Sequence, residues 1–225
     1  MTKSSHLIAF LAVLGCLLAP AASAQTSDDA GLVRAAQLIY ANGKSSVCFS
    51  SDFLRLTAEE THIRTHPELG EVKAESGGLF EYAFVVMTGE GAFRMPPAQL
   101  ANLRTYLECG GFVIASAGCS NKDWNRSFGR AVGQMFPDAE LTTLDAEHPV
   151  FHTVFDVVTS KYKSGGAKLP ELRALELDGR VVMIWSPDGL NDTANAEPNC
   201  CCCGGNEVKS ARKLNVNILA YALTH

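Results

Sequence analysis

Ala83-Phe84-Val85-Val86-Met87, closed by Thr88-Gly89, and Phe112-Val113-Ile114-Ala115, preceded by Gly110-Gly111, frame the segment that decides the architecture. Between them Pro96-Pro97 opens a stretch whose Leu100, Leu103 and Leu107 recur at helical spacing. Both flanking runs are apolar without alternation, the pattern of strands covered on two faces. Strand, helix and strand in that order predict an α/β protein with a mostly parallel sheet between helical layers.

Working outward, Trp124 to Phe136 reads as the next helix, stopped by Pro137, and Leu141 to Leu144 as a short strand. Leu172 to Leu177 and Val181 to Trp185 are separated by Asp178-Gly179, the two-residue signature of a tight hairpin, so one late strand runs antiparallel. Leu214 to Leu223 closes the chain as an amphipathic helix. Upstream, Leu32, Ala36 and Ile39 or Tyr40 repeat at helical spacing and predict a helix over Gly31 to Ala41. Val47 to Ser51 is β-prone, Asp52 to Glu60 has an acidic helix start, and Thr61 to Ser76 reads as irregular with one extended piece.

Lys3, the apolar run Leu7 to Leu18 and Ala22-Ser23-Ala24 have the layout of a signal peptide over residues 1–24. Lipidation at Cys16 is a competing reading, and the Ala-x-Ala site is the better processing signal. The mature chain, 25–225, is then expected to be a single domain in the periplasm or outside the cell, with no transmembrane anchor. The full sequence has a formal net charge of −5 with scattered basic residues, which argues against nucleic acid or an anionic membrane as partner. The partner expected instead is a small molecule or a protein. Of the eight cysteines, removal of Cys16 leaves an odd number, so at least one is free, metal-bound or bonded to another chain.

Ligands of parallel sheets collect where strands end on a common edge. The residues just past the strands are Asp52, Glu90, Cys119 and Asp188. Asp52, Glu90 and Asp188 are candidate ligand-binding groups, although aspartates in such places also simply cap helices and turns. Cys119, in Ala117-Gly118-Cys119-Ser120, is the candidate nucleophile, and His148 in Glu147-His148-Pro149 its candidate base. Equally, Cys119 reads as a small buried cysteine and His148 as a structural histidine. The run Cys200 to Cys203 before Gly204-Gly205 places Cys200 and Cys203 at C-x-x-C spacing, half of a zinc site. Disulfides or an exposed loop of thiols remain the other readings. Phosphate-loop, dinucleotide, zincin and serine-hydrolase motifs are missing from the sequence.

Phe84 to Phe93, Leu103 to Phe112, Trp124 and Phe128, His148-Pro149-Val150-Phe151, Asn215-Val216-Asn217 and Tyr221-Ala222-Leu223 together resemble the domain of unknown function 4159 family. That family is similar to trehalose-utilisation-type proteins and, more remotely, to class I glutamine amidotransferases. The resemblance implies a flavodoxin-like three-layer sandwich and no particular activity. In amidotransferases the nucleophilic cysteine sits at the elbow after the strand matching Phe112 to Ala115. Cys119 falls near that place, but Ala117 and Asn121 stand where the elbow glycines belong, and the expected His-x-Glu pair is missing. A non-catalytic binding module is thus the leading expectation, and a cysteine-dependent hydrolase or acyl-transfer enzyme the alternative.

Overall fold

In the computed structural model, Phe84–Gly89 (β3) and Phe112–Ala117 (β4) are parallel neighbours with every residue buried. Residues 31–43, 45, 46, 48–162, 164–196, 200 and 208–225 are described. The proposed signal peptide lies outside them. All described residues belong to one compact unit, Gly31–His225.

Between β3 and β4 runs α2, Pro97–Glu108, entered through Pro96, whose ring suits a position where a backbone N–H would be orphaned. Its exit at Gly110 has φ 103°, a backbone that favours glycine. After β4 comes α3, Lys122–Met135, capped by Asn121, whose Oδ1 accepts from the backbone N–H groups of Asp123 and Trp124.

Residues 35–39 depart from the expected helix. Ala35–Ile39 is a strand, β1, flanked by β2 (Gly70–Lys73) and β3. Five apolar-rich residues fit either period, and here burial decides: Ala35 faces one helical layer while Ala36 and Leu38 face the other. The β-prone run before Asp52 forms no strand among its described residues, whereas Asp52–Glu60 is a full helix, α1.

The late hairpin forms as read, with β8 (Arg173–Leu177) and β9 (Arg180–Ser186) joined through Asp178 and Gly179 at φ 51° and 79°. The seven-stranded sheet has the order β2-β1-β3-β4-β9-β8-β5, β5 being Leu141–Thr143. β8 is antiparallel to both its neighbours; β1, β2, β3, β4 and β9 are mutually parallel. One apolar core packs α2 and α3 against Val85, Met87, Val113, Ala115 and Met183. The other packs α1 and α4 (Ala211–Thr224) against Phe84, Val86, Phe112, Ile114 and Ile184. A small separate hairpin, β6 (Ser160–Lys161) with β7 (Ala167–Lys168), completes the fold.

Candidate functional site

The carboxyl edge of the parallel strands is knitted by a buried polar layer. Asn191, in the loop after β9, accepts through Oδ1 from Thr88 Oγ1 of β3 (3.1 Å) and Ser116 Oγ of β4 (2.6 Å). Ser116 Oγ in turn accepts from the backbone N–H of Leu190, and the carbonyl of Asn191 accepts from the N–H of Ser50. All three side chains are fully buried, so these bonds fix the loops beyond β9 and β1 over the strand ends. On the other face Trp124 Nε1 donates to the Tyr40 hydroxyl, which donates to the carbonyl of Thr88. Burial pushes the Tyr40 phenol well above the usual tyrosine range, against the smaller lowering effect of the Trp124 bond.

Backbone strain gathers at the same edge. Six described residues other than glycine have positive φ, and Asp178 in the hairpin turn is the exception to their grouping. Ala41 and Asn42 follow β1, Cys119 and Ser120 follow β4, and Asp192 follows β9. Non-glycine residues rarely take this conformation, and they concentrate where a site constrains the backbone. Cys119 and Ser120 make the turn from β4 into α3 with φ 52° and 51°.

Around that turn the candidate residues converge in part. A methyl group built on Gly118 would stand 2.9 Å from Glu90 Cγ and 3.3 Å from Glu90 Oε1, so the Glu90 side chain lies directly on the Cys119 turn. Ser120 Oγ donates to the Asp188 carbonyl at 2.5 Å. The Asp188 carboxylate accepts from the Tyr162 hydroxyl at 2.9 Å and pairs with Lys168 at 3.3 Å, and Lys168 also lies over the Tyr162 ring. The hairpin β6–β7 is thereby latched to the edge. Glu90, Cys119 and Asp188 therefore occupy one rim, with Cys119 a free, partly buried thiol.

Asp52 is engaged by two arginines at the start of α1, and His148 sits elsewhere. Burial at the start of α1 raises the Asp52 carboxyl, but hydrogen bonds from Arg212 and Arg55 outweigh it and hold the group below the usual range. Its acceptor atoms serve those two guanidiniums. His148 packs against Tyr221 and lies within charge reach of His225, at the C-terminal end of α4. The first turn of that helix holds Arg212 against Asp52, and Asn215 bonds the carbonyl of Leu190 near the carboxyl edge. From Arg212 to Tyr221 the helix advances roughly 13 Å. His148 is therefore at the other end of the helical layer, and the expected pairing with Cys119 is not formed. Its Nδ1 accepts from the N–H of Val150, a capping role, and burial lowers its pKa.

The metal reading of the cysteine run also changes. Cys200 is in a disulfide with Cys48, so its sulfur is not presented to an ion, and Cys203 lies outside the described residues. Among the described residues no group of three or more His, Cys, Asp or Glu side chains could hold a metal ion.

Sequence reasoning missed Asn191, Tyr162 and Lys168. They come from segments without periodicity, and the one available signal was that Asn191 follows β9 by only a few residues. Among the described residues no helix is long and apolar enough to cross a membrane. The model of a family described as a domain of unknown function (DUF4159) matches residues 34–223. No curated protein matches the chain.

Proposed function

The chain belongs to the domain of unknown function 4159 family, and from that premise we propose that it is a ligand-binding domain whose site is the rim around Glu90, Cys119 and Asp188. The concentration of left-handed, non-glycine residues on the loops after β1, β4 and β9 carries this reading. The rim offers two carboxylates, a thiol, a hydroxyl and the Lys168 ammonium, suited to a small polar molecule bearing hydrogen-bond donors.

The order β2-β1-β3-β4-β9 supports the flavodoxin-like reading, in which the sheet reverses its winding between β1 and β3 and ligands lie above that point. The left-handed Cys119 at a strand-to-helix turn supports kinship with the amidotransferase-like superfamily. The Cys48–Cys200 disulfide supports export to an oxidising compartment by the signal peptide.

A second reading, a cysteine-dependent hydrolase or acyl-transfer enzyme, draws on the same Cys119 turn. It is weaker because the His148 base is at the far end of α4. Thermal-shift screening with simple amines, sugars, carboxylic acids and amino acids tests the binding reading. At least one class is expected to raise the melting temperature of the wild type and of Glu176→Gln, but not of Asp188→Asn. A shift that survives Asp188→Asn unchanged removes the site from this rim. Burst release of p-nitrophenol from p-nitrophenyl acetate, lost in Cys119→Ser, would instead favour the enzyme.

A further inference from the structure

Cys48 and Cys200 are 152 residues apart in sequence, and their disulfide joins the loop that precedes α1 to the chain beyond β9. Among the described residues, hydrogen bonds from Ser50 and the burial of Phe49 in the core also bear on the same two stretches. The N–H of Ser50 donates to the Asn191 carbonyl at 2.9 Å, and Ser50 Oγ donates to the Asn195 carbonyl at 2.8 Å. Beside this junction lies a cleft of about 310 Å³ lined by Gln37, Phe49, Ser50, Ser51, Glu71 and Asn195. Residues from both tethered stretches form its walls. Gln37 holds the root of the loop by donating to Ser45 Oγ and the Ser46 carbonyl. The loop begins at Ala41, Asn42 and Gly43, all at positive φ, a backbone held in place by its surroundings. Cys48 is 2% exposed, whereas Cys200 is partly open to solvent, so a reductant can reach the bond from the Cys200 side.

We propose that the Cys48–Cys200 disulfide is a reducible strap, and that its reduction by a dithiol frees the loop carrying Cys48, Phe49 and Ser50 and opens this cleft. One thiolate of the dithiol attacks Cys200 Sγ and expels Cys48 as thiolate, which takes up a proton. The second thiol of the reductant then attacks the mixed disulfide and releases Cys200 as a thiol, leaving the reductant oxidised by two electrons. Once the covalent link is gone, the Ser50 hydrogen bonds and the packing of Phe49 remain among the described residues of these stretches, while the buried layer at Thr88, Ser116 and Asn191 stays intact. The strap goes beyond the ligand-binding reading and is tested with no ligand present.

Hydrogen exchange on the oxidised protein, the same protein in dithiothreitol and the Cys48→Ser/Cys200→Ser variant reads the strap directly. The amides of Phe49, Ser50 and Asn195 are expected to exchange at least about tenfold faster in the latter two, with amides of β3 and β4 unchanged. Unchanged exchange at Phe49 and Ser50 on reduction overturns the proposal. So does equal acceleration of β3 and β4, which would make the bond a staple of the whole fold. Peptide mapping of the oxidised protein that finds Cys48 paired with a cysteine other than Cys200 overturns it as well.

Discussion

Asn191 Oδ1 accepts a hydrogen bond from Ser116 Oγ at 2.6 Å, and neither residue is reached by solvent. The bond ties the loop that carries Asp188 to the strand that delivers Cys119, so the positions of both rim residues depend on it. Asn191→Leu removes the acceptor for Ser116 and for Thr88 together. It also deletes Nδ2, a buried donor without a partner among the described residues, which offsets part of the loss. Urea denaturation is expected to show a net destabilisation of about 1–2 kcal/mol, and no change would mean the layer does not bear on stability.

The alkaline limb of stability is set by buried phenols. Burial pushes Tyr40 and Tyr106 well above the usual tyrosine range; their hydrogen bonds, from Trp124 and with Phe112, lower them only in part. A group whose folded pKa is raised contributes its full stability below its unfolded pKa, about 10, and loses it as pH climbs toward the folded value. Unfolding free energy is expected to fall above about pH 10. Tyr40→Phe should be less stable at neutral pH yet decline less steeply with alkali, as urea titrations across that window would reveal.

Elements with a strong local signal were legible in the sequence. Gly110-Gly111 marks the end of α2, the run Trp124 to Phe136 outlines most of α3, and the apolar runs of β3 and β4 read as strands buried on both faces. Tertiary context decided the rest. Ala35 to Ile39 satisfies the helical period by accident of length and becomes a central strand because β2 and β3 pair with it. Glu90, Cys119 and Asp188 could be found because each closely follows a buried strand. Lys168 belongs to a strand of two residues and Tyr162 directly follows another, both below any periodic signal. Which end of α4 receives His148, and which cysteine meets Cys48, depend on chain paths that sequence spacing does not encode.

Two glycines separate a stability constraint from a site constraint. A Cβ on Gly111 would lie 2.3 to 2.5 Å from three ring atoms of Tyr106, whose hydroxyl bonds both the N–H and the carbonyl of Phe112. That ring has little freedom to retreat, and Gly111→Ala is expected to cost about 2–3 kcal/mol, the upper part of the range for overpacking. At Gly118 the closest atom is Glu90 Cγ at 2.9 Å, on a flexible side chain, followed by the Gly89 carbonyl oxygen at 3.0 Å. Gly118→Ala should cost about 1 kcal/mol while displacing Glu90 from the Cys119 turn. Comparative melting curves, with a crystal structure of Gly118→Ala, would check both statements.

His148 offers the sharpest test of where the chemistry can lie. Its ring packs on Tyr221; burial lowers its pKa, and the nearby His225 adds to that while Asp145 opposes it. A depressed folded pKa means that the neutral ring contributes stability above the ordinary histidine value, about 6.5, and that this is lost as pH falls through the lower folded value. His148→Phe keeps an aromatic surface against Tyr221 and forfeits the Nδ1 bond from Val150. It is therefore expected to be less stable at neutral pH but to lose less stability between neutral and acid. In the same variant, the rate of Cys119 alkylation by iodoacetamide should follow the wild-type pH profile, because His148 lies at the end of α4 away from the carboxyl edge that carries Cys119. A displaced profile would return His148 to the neighbourhood of Cys119 and revive the enzyme reading.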